Sequence, residues 1–343
     1  MSEPEIIVVA DPEAAAVVAA ERIAASLADA VAARGRADWA TTGGTTPIGI
    51  YQALSRGALR DTVPWPDVHV WWGDDRFVPR DHPLSNVKAL DDILLEASDG
   101  KEGTGFDDFF RVELPIQNIH PFPTGVAIGE SRGAAWAAAQ VASELRAAGL
   151  PASGDGWPIL DIVLLGIGAD GHLLSVFPGS AAFESSAWAM AIPAPTHIEP
   201  HVERVTLNPA ILGAARQIVV VAVGAGKAEI LGTVLGAEVN VRRWPAQLAR
   251  RSGATWILDG AAAANLPAEG TRRSISDARH PTTLRASPTS GSRHGGPRLI
   301  SSRRTGTTTS VAGWPPFSCR GRNAGSRSNP QGGSSGSWPC RTR

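Results

Sequence analysis

Short, almost wholly apolar runs alternate with segments of helical spacing along roughly the first 260 residues, and this alternation leaves few architectures open. The first pair is the clearest. Ile6–Ala10 is a compact apolar run, and Asp11-Pro12 then supplies a helix N-cap followed by a proline at the first helical position. Ala16, Ala20, Ile23, Leu27 and Val31 repeat at helical spacing until Gly35 closes the pattern. The same reading predicts strands over Asp38–Thr42, Val68–Gly73, Asp161–Gly166, Gln217–Val223 and Thr255–Asp259. It predicts helices over Pro47–Ser55, Ser85–Glu96, Glu130–Ala148 and Lys227–Leu235, with a short one after Asp259. Runs such as Ile162-Val163-Leu164-Leu165 carry no polar alternation, so both faces of these strands must be covered. The implied fold class is α/β, with three α/β/α layers built on a mainly parallel, Rossmann-like sheet.

Charge divides the chain. The formal net charge is −1, yet the stretch from Thr271 to Arg343 holds 13 Arg, no Lys and one acid, Asp277. That leaves 19 basic and 32 acidic residues for the rest, a body of −13 beside a tail of +12. An acidic body argues against nucleic acid as its partner. We expect one α/β domain over 1–268 and, over 269–343, a Ser/Gly/Pro/Arg-rich tail too poor in apolar surface to order itself. The tail reads either as a basic arm for an anionic partner or as an inert extension. Arg without Lys favours the second, as in out-of-frame translation of a GC-rich gene. The segment Ala97–Phe110, rich in Gly and Asp, reads as a surface insertion. Both cysteines, Cys319 and Cys340, lie in the tail, so the body offers no thiol chemistry. The N-terminus lacks a basic signal region and no run reaches membrane-spanning length, which predicts a cytoplasmic protein.

Active sites of open parallel sheets lie beyond the carboxyl ends of the strands, and four loops there carry the informative residues. Thr41-Thr42-Gly43-Gly44-Thr45-Thr46-Pro47 leads from a strand into a helix. Its glycines, hydroxyls and helix N-terminal amides suit an anion, although a Thr-capped turn has the same composition. Trp71-Trp72-Gly73-Asp74-Asp75-Arg76 offers a guanidinium for a phosphate, or an ordinary loop ion pair. Ser85-Asn86 downstream reads as a helix cap. Gly166, Gly168 and Gly171 spell the dinucleotide fingerprint, but Pro178 forbids the long helix it needs. No acid lies between residues 187 and 198 for a ribose. What these glycines do is bend the chain to present His172 at a strand end, with Asp170 near enough to orient it. Gly224-Ala225-Gly226-Lys227 ends like a phosphate loop, yet Val221 and Ala228 occupy two of its defining positions, so Lys227 is at most a point charge for an anion. No metal set is expected. His197 and His201 stand four apart, but Pro200 between them prevents a regular helix; His69, His82 and His120 have no partner at ligand spacing.

Taken together and in order, TTGGTTP, WWGDDRFVP with the following SN, LLGIGADGH…FPG, RVTLNPAIL, GAGKAEIL, PAQLA and TWILDGAAA resemble the 6-phosphogluconolactonase family from about Ile7 to Leu266. The resemblance implies the sugar-phosphate isomerase-like fold and hydrolysis of 6-phospho-D-glucono-1,5-lactone to 6-phosphogluconate, the second step of the oxidative pentose phosphate pathway, without metal or other cofactor. It implies His172 as the acid/base. Arg76 and Lys227 would hold the phosphate, while Thr42, Gly43, Gly44 and Asp74 would line the ligand site. Backbone amides around Gly43-Gly44 or Gly168–Gly171 are the candidate oxyanion donors. The expected partner is thus a small phosphorylated lactone; the oligomeric state stays open, and a monomer is compatible. Leu173-Leu174 and Asp75 depart from the family pattern, and the chain beyond about Glu269 has no counterpart in it. The related glucosamine-6-phosphate deaminases share the Asp-Gly-His turn but continue it with Asn-Glu-Pro, where this chain has Ser175-Val176-Phe177-Pro178. They also carry Asp-Glu-Tyr in place of Asp74-Asp75-Arg76. A non-catalytic sugar-phosphate sensor is the other alternative.

Overall fold

The computed structural model describes residues 3–95, 112–236, 238–266 and 272–274. The predicted insertion Ala97–Phe110 and the predicted tail 269–343 lie outside the described residues, except for 272–274, which pair as a strand where no order was expected. In chain order the elements are β1 (Glu5–Val9), α1 (Pro12–Arg34), β2 (Ala37–Thr41), α2 (Thr46–Leu54), α3 (Gly57–Thr62), β3 (Val68–Trp72), β4 (Asp74–Arg76) and α4 (Lys88–Leu90). They continue with β5 (Ile119–His120), α5 (Thr124–Gly129), α6 (Ala134–Ala147), β6 (Ile162–Leu165), β7 (Ala189–Ile192), β8 (Arg204–Leu207), α7 (Ala210–Ala214), β9 (Gln217–Ala222), α8 (Ala228–Gly236), β10 (Ala254–Asp259) and β11 (Arg272–Ser274).

Eight strands form a parallel sheet in the order β11-β1-β10-β9-β6-β2-β3-β5, flanked by helices. The six strands read from apolar runs fall within one residue of their predicted ends, and each of β2, β6 and β10 is buried along its whole length. Helix α1 starts as its sequence dictates: Asp11 Oδ1 accepts from the Ala14 amide at 2.8 Å, Pro12 opens the first turn, and Gly35 ends it in the left-handed region. Its buried stripe, including Ala19, Ile23 and Leu27, packs on β10, β9 and β2.

Order along the sheet reverses between β2 and β6. From β2 the chain moves outward to β3 and β5; from β6 it moves the other way, to β9 and β10. Connections leaving the carboxyl ends of β2 and β6 therefore diverge, and a crevice opens between them.

Three expected elements are corrected. The helix predicted over Ser85–Glu96 is reduced to one turn, α4, continued by a wide π-type turn over Asp91–Leu95; the Ser85 hydroxyl and the Asn86 amide donate to the Asp75 carboxylate ahead of it. The helix predicted over Glu130–Ala148 begins at Ala134, with α5 a separate short helix before it. After Asp259, whose carboxylate accepts the amides of Ala262 and Gly224, the described residues form only turns. Unforeseen was a second, antiparallel sheet of order β4-β8-β7. Its strands are four residues or shorter and too brief to show a period.

Four tryptophans, Trp39, Trp71, Trp72 and Trp256, are fully buried along the strands. Asp38, also buried, accepts the Trp71 indole N–H at 2.9 Å and a two-bonded grip from Arg36. Asp38→Ala strands both donors and should cost on the order of 3 kcal/mol, read as a lowered urea midpoint with unchanged slope.

Candidate active site

A cavity of about 610 Å³ opens above the β2/β6 crevice. Seven of the eight residues singled out from the sequence line it: Thr42, Gly43, Gly44, Asp74, Arg76, His172 and Lys227. The eighth, Asp170, stands behind His172.

The loop after β2 is shaped by its neighbours. Thr41 and Tyr51 share a buried hydroxyl–hydroxyl bond of 2.7 Å that ties the strand end to α2. Gly44 is left-handed at φ 73°, and Gly43 lies against the Asn86 carboxamide so closely that a Cβ there would fall 1.9 Å from Asn86 Oδ1. The Gly43 and Gly44 amides make no hydrogen bond to another described residue.

The His172 turn is closed by its own backbone. Gly168 N–H donates to His172 O at 2.9 Å, and Gly171, at φ 80°, donates to Gly168 O. These two amides are thereby consumed, which removes them as oxyanion donors. His172 Nδ1 lies 2.5 Å from Asp170 Oδ1. Burial raises the Asp170 carboxyl, but hydrogen bonds and positive charge from His172, with a bond from His197, outweigh it and hold the group well below the usual carboxylate range. A carboxylate only accepts, so Nδ1 carries the proton and Nε2 is left as the basic nitrogen. The family departure at Leu173-Leu174 also finds its place. Leu174 sits at φ 55° with its side chain over Gly73, where a Cβ would meet Leu174 Cδ2 at 2.5 Å.

Behind the cavity lies a buried polar knot. Asp74 accepts from Ser175 Oγ at 2.6 Å and from Asn86 Nδ2 at 3.2 Å. Asp75 accepts the Asn86 and Arg76 amides and the Ser85 hydroxyl, and burial pushes its carboxyl up to about 7. Arg76 extends from β4, its Nη1 on Leu84 O and its buried Nε without a partner. Beside it stands Arg204, which sequence reading missed. It opens β8, is 4% exposed and lines the same cavity. Neither arginine forms an ion pair among the described residues. Burial, then the like charge of Arg76, lowers the Arg204 pKa. Lys227 donates to Ile167 O at 2.8 Å; burial lowers its pKa against the attraction of Asp170. The signal for Arg204 was present, since it leads the RVTLNPAIL motif, but the strand it begins went unread. Asn86 was hidden by its reading as a cap, and Ser175 was read only as part of the segment that differs from the deaminases.

The histidines that looked unpartnered in sequence have partners in space. His69 Nδ1 and His120 Nε2 meet at 3.0 Å, and His201 Nδ1 binds Pro195 O. Among the described residues no group of three or more His, Cys, Asp or Glu converges.

The family model for glucosamine-6-phosphate isomerases/6-phosphogluconolactonase matches residues 10–257. The chain belongs to this family. A 6-phosphogluconolactonase of Streptomyces coelicolor is 31% identical over 264 residues, 77% of this chain and 95% of its own. The 6-phosphogluconolactonase structure from Trypanosoma cruzi superposes with a TM-score of 0.64 at 28% identity, covering 78% of this chain and 98% of that one. A monomeric glucosamine-6-phosphate deaminase, at 19% identity and TM-score 0.56 over 76% of this chain and 99% of its own, shares the fold alone.

Two glycines test how tightly the family loops are built. Gly168→Ala drives a Cβ to 2.0 Å from His172 Nδ1, and Gly43→Ala drives one onto Asn86. Each should lower kcat/KM at least about 100-fold while circular dichroism keeps its wild-type form, because a displacement of about 1 Å at reacting groups is enough.

Proposed function

We infer that this chain hydrolyses 6-phospho-D-glucono-1,5-lactone to 6-phospho-D-gluconate, in the oxidative pentose phosphate pathway and in the cytoplasm. The observation that carries the reading is an imidazole oriented by a carboxylate in one cavity with two arginines that lack ion pairs among the described residues. Similarity to 6-phosphogluconolactonases over three quarters of the chain supports it. No helix among the described residues is long and apolar enough to cross a membrane. The deaminase reading is not favoured: proteins of Synechocystis and Streptomyces coelicolor that are 32% and 31% identical to this chain carry the 6-phosphogluconolactonase name.

In the proposed reaction, His172 Nε2 removes a proton from water as its oxygen adds to the C1 carbonyl. The negative charge formed on the carbonyl oxygen is taken by the unengaged amides of Gly43 and Gly44. When the intermediate collapses, the bond from C1 to the ring oxygen breaks, and the imidazolium returns its proton to that oxygen. Asp170 holds Nδ1–H throughout and stabilises the transient cation. Arg76 and Lys227, joined by Arg204, form the cationic lining for the phosphate, whose charge matches the missing ion-pair partners. Asp74 and Thr42 line the sugar. Because proton transfer is assigned to the imidazole, the scheme requires no metal ion.

Purified protein should turn over the lactone at a rate unchanged by EDTA, and His172→Ala should lower kcat by about 10² or more. A His172→Ala variant of wild-type rate would overturn the mechanism. Arg76→Ala, Arg204→Ala and Lys227→Ala should each raise KM about 10-fold or more with a smaller change in kcat, since the phosphate is remote from the reacting carbon.

A further inference from the structure

The mechanism uses one oxygen of Asp170, and the other is also engaged. Asp170 Oδ1 lies 2.5 Å from His172 Nδ1 and accepts the His172 amide at 3.1 Å. Its second oxygen, Oδ2, lies 3.0 Å from His197 Nε2. His197 is 25 residues farther along the chain than His172, on the loop joining β7 to β8. Phe177 fills the angle between the two imidazoles, its ring 4.7 Å from that of His172 and edge-on to that of His197 at 5.5 Å. The arrangement is a closed cluster of carboxylate, two imidazoles and a phenyl ring.

The loop that delivers His197 is itself fastened. His201 Nδ1 bonds Pro195 O at 2.7 Å, and Arg204 donates to Pro200 O and Val202 O. Arg204 also lines the cavity, so the end of the loop that leads into β8 is anchored at the site. His197 is not among the residues lining the cavity, and its side chain is 52% exposed against 20% for His172. It is placed to act on Asp170 rather than on substrate.

We propose that His197 is a positioning residue for the His172–Asp170 pair, fixing the plane of the carboxylate by binding its second oxygen and moderating the charge that Asp170 presents to His172. A carboxylate held through one oxygen can turn or exchange that bond for water, and the imidazole it orients turns with it. A second donor on the other oxygen removes that freedom. The same donor shares the negative charge that the carboxylate would otherwise direct at the imidazole alone. The titratable groups facing the carboxylate are His172, His197 and, just ahead of α8, Lys227.

The inference rests on the lactonase reading, and the test keeps the two apart. In the lactonase assay, His197→Ala should lower kcat about tenfold with KM unchanged, and the acid limb of kcat/KM should move up by roughly half a pH unit. His197→Gln returns an N–H donor at similar reach and should recover most of kcat. Because His197 is exposed, both variants should keep the wild-type melting temperature. The second measurement needs no turnover: the His172 imidazole, titrated by NMR in the free full-length protein, should have a higher midpoint in His197→Ala and a near wild-type one in His197→Gln. Failure of the wild-type protein to hydrolyse lactone would count against the reaction, and the NMR shift would still decide the contact. A wild-type kcat and an unmoved His172 midpoint in His197→Ala would overturn the proposal. So would a loss that His197→Gln does not relieve.

Discussion

The site depends on the reversal of strand order between β2 and β6. In a parallel sheet each strand hands the chain to a crossover that packs against one face or the other. Where successive crossovers set off in opposite directions, nothing covers the gap at the carboxyl edge. Both Gly-rich loops belong to the strands on either side of that gap, and Gly166 comes so near Thr46 that a Cβ there would lie 3.2 Å from its hydroxyl. Glycine is required at Gly43 and Gly168 for the same steric reason. Asn86 in one case and His172 in the other occupy the space that a side chain would need.

The second sheet answers a different demand. An open crevice between two backbone loops has amides and hydroxyls but few fixed charges. The chain beyond β3 turns back at Gly73 into β4 and pairs with β8, which places Arg76 and Arg204 opposite each other in register and beside the crevice. A buried arginine and a half-buried one, neither with a carboxylate within ion-pair range among the described residues, are costly to hold in the free protein. The Asp74, Asp75, Asn86 and Ser175 knot beneath them makes that placement possible, since its bonds anchor β4 from behind without neutralising the guanidinium groups. Asp75, with burial raising it to about 7, is a weaker counterion than an exposed acid would be. The cationic face therefore remains available for a ligand.

Much of this was legible in the chain, and what was not has physical causes. Apolar runs located six strands because a doubly covered strand must be apolar throughout, as in Ile162–Leu165. His172, Asp170, Lys227 and the Gly43-Gly44 turn announced themselves because they sit directly at the ends of those strands. Arg204, Asn86 and His197 did not. Arg204 begins a four-residue strand in a small sheet whose pairing depends on distant segments, and β4 has only three residues. Asn86 looked like a cap because Ser-Asn ahead of a helical pattern usually is one, yet its side-chain N–H donates to Asp74 and its Oδ1 caps no amide among the described residues. His197 stood out in the sequence only beside His201, as a metal pair that Pro200 argues against, and nothing there links it to Asp170. Its partner is 27 residues away, and only the path of the β7–β8 loop brings them together.

The proposed roles separate along the cavity, and the separation has a kinetic meaning. Contacts to the phosphate are the same before and during the reaction, so cationic side chains at that end can improve capture and alignment without changing the barrier by themselves. Charge that appears only in the transition state must be met at the other end, by the imidazole and by amides already fixed in place. That end accordingly has the firmer construction. The His172 turn closes on itself through Gly168, its carboxylate is bonded on both oxygens, and Phe177 packs the ring from the side. An imidazole free to rotate would spend its rotational entropy in every turnover. One held by backbone, carboxylate and ring has lost that entropy in folding, and the difference appears in kcat rather than in KM.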